Sequence, residues 1–278
     1  LLPSASSAPS VPSLEGLQGL WRRSLLAWKG RADDRTSKVS WLQGPGLYVD
    51  LRQQEGMPDF SSLASMHDLS EAEMAWLAGQ EAFAGELVFD GGIFEWQRRF
   101  DFQPATDAGD RGTLAFENGL LIERGADFPY YEHWHAEETG GGPCWAARLS
   151  DPASAARAIL VQSGDVFMFA RDRTRALYGG TLAEALSAAR TPQDRLALLD
   201  MEISFGRITA GRWLAGRSTL PLRPGTELAP RLTLLSGQSL LTDEIDLAGR
   251  CFTRRWEIED LRGDVSSFAS PETERAVS

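Results

Sequence analysis

Between Phe83 and Glu137, large apolar and polar residues alternate in three runs separated by Asp-Gly-Gly at 90–92, glycine-rich 107–112 and Gly-Ala-Asp at 125–127. In the run after Asp90-Gly91-Gly92, Phe94, Trp96, Arg98, Phe100 and Phe102 share one side, and Glu95, Gln97, Arg99, Asp101 and Gln103 share the other. A strand sends successive side chains to opposite faces, so the pattern predicts a sheet with one aromatic face and one polar face. Residues 35–52 read as a hairpin closed by Gly44-Pro45-Gly46. Its second strand puts Leu47, Val49 and Leu51 on one face and Tyr48, Asp50 and Arg52 on the other.

Leu17, Leu20, Trp21, Leu25 and Trp28 approximate a helix face, with a strand from about Trp21 as the competing reading. Ser70 with Glu73 three residues on forms a capping box and predicts a helix to about Gln80. Thr139-Gly140-Gly141-Gly142-Pro143 is the clearest break, more a flexible linker than a phosphate cradle. Beyond it, residues 158–161 and 166–169 form a hairpin, 182–199 a helix, and 201–205, 213–220, 232–235 and 252–258 strands. In both halves a hairpin precedes a helix and a run of strands follows, which points to an internal duplication.

The expected fold is mainly β: two antiparallel barrels or strongly curved sheets, each half with a short helix. The expected divisions are a disordered arm (1–16), a first unit (17–139), a second unit (140–265) and a flexible tail (266–278). A small barrel with a polar interior is a ligand cup.

A hydrophobic fraction of 42% over 278 residues supports real cores. The net charge of -11 argues against nucleic acid and against an anionic membrane surface. No apolar run approaches the roughly 20 residues needed to cross a bilayer. Lys29 and Lys38 are the only lysines, a bias expected of a GC-rich bacterial genome. Cys144 and Cys251 are too far apart for a metal-ligand motif and read as buried free thiols in a reducing cytosol. No nucleophile elbow, P-loop or dinucleotide fingerprint occurs.

The first half carries, in order, Asp34-Arg35-Thr36, Leu47-Tyr48-Val49-Asp50-Leu51-Arg52, Phe83-Ala84-Gly85, Phe100-Asp101-Phe102, Glu123-Arg124-Gly125 and Tyr131-Glu132-His133-Trp134. Over roughly residues 34–135 this order resembles the fungal Hri family. The chain departs from it at Tyr131, where the family has Arg, and in a longer helix near 70–80. The resemblance implies two lipocalin-like barrels; it implies a fold rather than an activity.

Two constellations carry candidate chemistry. His133 and His135 flank Trp134 and share one strand face, where Glu137, Glu95 or His67 could complete a ligand set; the other reading is solvent-facing or hydrogen-bonded imidazoles, and no metal is assigned. The second is the polar face itself: Tyr48, Asp50, Arg52, Glu95, Arg99, Asp101 and Glu123, with Trp134. If it points inward, Arg52 and Arg99 could clamp a carboxylate and a desolvated Glu132 could act as acid or base. If it points outward, it is an arginine–carboxylate ladder around an aromatic core. The function expected is a cytoplasmic cup for a small organic, carboxylate-bearing ligand. Its rivals are an enzyme using Glu132, His133 and His135, its cofactor unknown, and a scaffold for a protein partner.

Overall fold

A computed structural model describes residues 9–104, 109–173, 175–177, 179–233 and 239–265. The expected tail (266–278), the start of the expected arm (1–8) and residues 234–235 of one expected strand lie outside the described residues. The first half forms β1 (Gly19–Trp28), β2 (Lys38–Gln43), β3 (Leu47–Gln53), α1 (Glu71–Ala78), β4 (Glu81–Asp90), β5 (Ile93–Asp101), β6 (Arg111–Glu117), β7 (Leu120–Gly125) and β8 (Tyr130–Glu137). The second forms β9 (Cys144–Asp151), β10 (Ala156–Ser163), β11 (Val166–Arg171), α2 (Leu182–Ala188), α3 (Pro192–Leu199), β12 (Glu202–Thr209), β13 (Arg212–Ser218), β14 (Arg231–Thr233), β15 (Ser239–Ile245) and β16 (Cys251–Gly263). No helix among the described residues is long and apolar enough to cross a membrane.

Strands β1 to β8 close into an antiparallel barrel, and β9 to β16 form an eight-stranded sheet in the order β13-β12-β11-β10-β9-β16-β15-β14. Numbered within its own half, the second sheet has the barrel's circular order, cut between its fifth and sixth strands. That is where the barrel itself is weakest: among the described residues β5 and β6 share the pairs Phe94↔Gly112 and Glu95↔Arg111, with one more backbone hydrogen bond from Trp96 to the Asp110 carbonyl. Barrels or strongly curved sheets were expected, and the chain has one of each: the first unit is a closed barrel, and among the described residues the second is an open, curled sheet.

The stretch expected to be helical from Leu17 is instead a strand over Gly19–Trp28, as the competing reading had it, entered from a short 3-10 turn at Glu15–Leu17. Residues 9–16, expected within a disordered arm, are held to the barrel: Ser10 and Phe116 exchange backbone hydrogen bonds. The capping box starts α1 at Ser70 as expected. The single helix expected over 182–199 is two, because Thr191 caps a second start with Pro192 in its first turn. Cys144 is half-buried and Cys251 is exposed, so the second thiol is not the buried one expected.

The same irregularity occurs between the fourth and fifth strands of each half, a second slip lying between Arg23 and Leu25 in the first and between Ile258 and Asp260 in the second. In β4–β5 the register slips between Ala84 and Gly85, leaving Arg99 as an extra residue. In β12–β13 it slips between Phe205 and Gly206, leaving Gly216 extra. A Cβ on Gly85 would lie 1.9 Å from the Gln97 carbonyl oxygen, and one on Gly206 would lie 2.4 Å from that of Leu214. Both bulges therefore require glycine.

The outer face of the barrel is buried too along β3, β4 and the end of β5. Leu47, Val49, Leu51, Ala84, Phe100 and Phe102 pack with Ala146, Ile159, Val161, Met168 and Ala170 of the second sheet in one shared core. The barrel interior divides along its axis. Trp21, Trp41, Phe94, Trp96 and Trp134 fill one end, which Leu17 closes beneath Trp21. The other end is charged.

Candidate functional site

The charged end is built by alternation. On β3, Tyr48, Asp50 and Arg52 turn inward while Leu47, Val49 and Leu51 face the second sheet. On β8, Glu132 and Trp134 turn inward, and His133 and His135 consequently occupy the outer wall. The bulge rearranges β5. Phe94 and Trp96 lie inside, but beyond Arg99 the phase reverses, so Phe100 and Phe102 face outward and Asp101 inward. The five-residue aromatic face expected from the sequence is thus split between two cores.

Three arginines organise the inward carboxylates. Arg23 donates to Glu132 Oε1 and to Asp34 Oδ2, both at 2.7 Å. Arg52 meets both oxygens of Asp50, at 3.1 and 3.2 Å, and reaches Glu132 at 3.5 Å. Arg98 lies 3.6 Å from the Phe83 ring centroid and pairs with Asp101 at 2.8 Å and Asp110 at 2.7 Å. Glu123 has no arginine; it accepts from the Tyr130 hydroxyl at 2.9 Å and from Trp134 Nε1 at 3.1 Å. At this end two buried oxygens find no hydrogen-bond partner among the described residues, Glu132 Oε2 and the Tyr48 hydroxyl; Glu202 Oε2 in the second sheet is a third.

Burial governs the proton affinities. It pushes the Glu123 carboxyl well above 4.5, with Glu132 and Asp110 adding repulsion. It also raises Asp50 and Asp101, outweighing Arg52 beside the first and Arg98 beside the second. Tyr130 and Tyr48 are raised as well, again chiefly by desolvation. Burial disfavours the Arg52 cation, yet Asp50 and Glu132 hold it above its usual value.

Glu123, Glu132, Tyr130, Trp96, Trp28 and Leu26 line a cleft of about 1300 Å³ at this end of the barrel. Its rim extends across Arg99, Arg157 and Arg173 toward the second half. Arg173 donates to the Phe102 carbonyl at 2.6 Å, and burial draws its guanidinium down to about 10.

Tyr48, Asp50, Arg52, Asp101, Glu123, Glu132 and Trp134 thus converge on the barrel interior, as the inward reading requires. Glu95 lies half-buried on the far side of β5 from Trp96, at the cleft's edge. Arg99 sits on the outer wall with its side chain 52% exposed, bound to Glu86 at 3.3 Å. Arg52 and Arg99 therefore stand on opposite faces and form no clamp. His135 Nε2 shares a hydrogen bond with Ser24 at 2.8 Å, and His133 packs beside Tyr131. The two imidazoles are separated from Glu132 by the barrel wall. Among the described residues no group of three or more His, Cys, Asp or Glu is placed to hold a metal ion.

Arg23, Arg98, Asp110, Tyr130 and Arg173 were not foreseen. Arg98 had a signal, a lone charge within an aromatic stripe. Tyr130 shares the strand phase of Glu132 and Trp134. Arg23 follows Trp21 by two residues, which is informative only once β1 is read as a strand.

The second sheet has its own buried ionic cluster. Arg223 donates to Glu202 at 2.7 Å, and Arg254 joins Glu244 at 3.1 Å and Asp151 at 2.7 Å.

The molecule is mainly β: a closed eight-stranded barrel joined to an open eight-stranded sheet of the same strand order. No protein-family model matches the chain, and no curated protein matches it in sequence. Its structure is similar to the crystal structure of the uncharacterized protein YLR301w from Saccharomyces cerevisiae, at 14% identity and a TM-score of 0.48, over 87% of this chain and 98% of that one.

Proposed function

We propose that the charged mouth of the first barrel holds a small organic molecule. The observation that carries this reading is Glu132 Oε2, buried without a partner among the described residues on a side chain that lines the cleft. A buried polar atom left without a hydrogen bond is costly, and a ligand donor placed there offsets the cost. Leu26, Trp28, Trp96 and Phe128 give the cleft the apolar wall common in ligand sites. A carboxylate on the ligand finds its counter-charge at Arg173, which lines the same cleft and makes no ion pair among the described residues, rather than at Arg52 with Arg99. The free thiols suit the cytosol. Kinship with the Hri family rests on motif order within residues 34–135.

The test is native mass spectrometry of protein purified undenatured from its own host. A small-molecule adduct on the wild type, absent from Leu26→Trp (which places an indole in the mouth), supports the cup. Adduct-free spectra for both overturn it.

A second reading, acid–base catalysis, is favoured by Glu123, whose carboxyl burial pushes well above the ordinary carboxylate range opposite arginine-bound Glu132. Glu123→Gln would then retain the bound molecule but stop its conversion.

A further inference from the structure

We infer that the molecule held in the first barrel carries a cationic nitrogen, a primary amine or its like, seated at Glu123 and Glu132. This rests on the mouth being a ligand site and specifies what it recognises.

Glu123 and Glu132 are register partners on adjacent strands, so both project from the same stretch of wall. Both are buried, with 4% and 2% of their surface exposed, and both line the cleft. The arginines at the deep end are already committed, and Arg173 stands at the rim. Arg23 serves Glu132 and Asp34, Arg52 serves Asp50 and Glu132, and Arg98 serves Asp101 and Asp110. Three cations therefore face six carboxylates, counting Glu123, which has only the neutral donors Tyr130 and Trp134. The deep end of the mouth offers an unmet acceptor, Glu132 Oε2, and the carboxyl of Glu123, which among the described residues has no cationic hydrogen-bond partner. A ligand carboxylate there meets repulsion. An ammonium supplies both the missing donor and the missing charge, with the indole of Trp96 and the phenol of Tyr130 available as cation–π partners.

The groups facing Glu123 set the proton balance: Glu132 and Tyr130 from β8, Asp110 ahead of β6, Arg52 with Asp50 from β3, and Arg23 from β1. Without a cation this carboxyl keeps its proton to higher pH than an ordinary one. In the pH range where Glu123 carries its proton, ammonium binding recruits the carboxylate form: the O–H bond of Glu123 breaks, the proton passes to buffer and the ligand nitrogen keeps its charge.

Isothermal titration near neutral pH, in two buffers of different ionisation enthalpy, compares phenethylamine with 2-phenylethanol. The amine should bind at least about tenfold more tightly, a difference of about 1.4 kcal/mol, with proton release. Glu123→Gln should abolish the release. If that variant fails to fold, the two-buffer comparison on the wild type still decides. Equal or tighter binding of the alcohol would overturn the amine and leave the cup standing. Binding of neither would overturn both.

Discussion

Glu123 and Glu132 stand directly opposite one another across the β7–β8 pair, both buried, with Arg23 bound to only one of them. Burial, with the like charge of Glu132 added, raises the proton affinity of the Glu123 carboxyl. The native state therefore binds this proton more tightly than the unfolded chain does. Stability should be fully present below pH 4.5 as far as this group is concerned, and should fall as pH rises toward its elevated native value. The slope is at most about 1.4 kcal/mol per pH unit for one proton. Urea denaturation across pH 5 to 8 should show the decline in the wild type and a shallower one in Glu123→Gln, by up to one proton.

Arg23→Met should be among the most damaging substitutions in the barrel. It leaves Glu132 with only the 3.5 Å contact to Arg52, inside a wall where that carboxylate is 2% exposed. Removing one partner of a buried pair costs about 3–5 kcal/mol. Denaturation midpoints compared with Arg22→Met, whose partner Glu137 lies on the exposed outer wall, should differ by most of that amount.

Gly85→Ala and Gly206→Ala should both destabilise, by about 2 kcal/mol or more. Gly85→Ala should be the worse of the two. Its Cβ meets the Gln97 carbonyl at 1.9 Å, whereas at Gly206 part of the obstruction is the Phe167 ring, which can shift. Thermal melts of the two single variants check the order, and equal losses would count against the bulge account.

Val161→Asp should uncouple the halves. Val161 is fully buried in the core shared by the barrel's outer face and the second sheet. An unpaired carboxylate there costs several kcal/mol. Calorimetry should show one lowered or split transition, while an exposed change such as Phe252→Asp leaves the melt near that of the wild type.

Much of this was legible in the chain because strand alternation is local. Tyr48, Asp50 and Arg52 against Leu47, Val49 and Leu51 declared both faces of β3, and the inward direction of the polar set held. What escaped detection was non-local. β1 buries Leu20 outward and Trp21 inward, and such two-sided burial blurs strand into helix. Arg99 looked like a member of the inner polar face because a bulge leaves little trace in composition; it depends on Gly85 meeting the backbone of the next strand. Pro192, by contrast, was a readable stop that divides α2 from α3. That the second sheet opens between β13 and β14 follows from hydrogen bonds no single segment encodes.

The most direct measurement extracts whatever molecule accompanies the native protein and returns it to stripped wild type and to Leu26→Trp. At a free concentration about a hundredfold above its Kd, the wild type should gain about 2.7 kcal/mol in stability and a higher Tm, and the blocked variant nothing. Equal stabilisation of both, or of neither, would contradict a ligand site at the barrel's charged mouth.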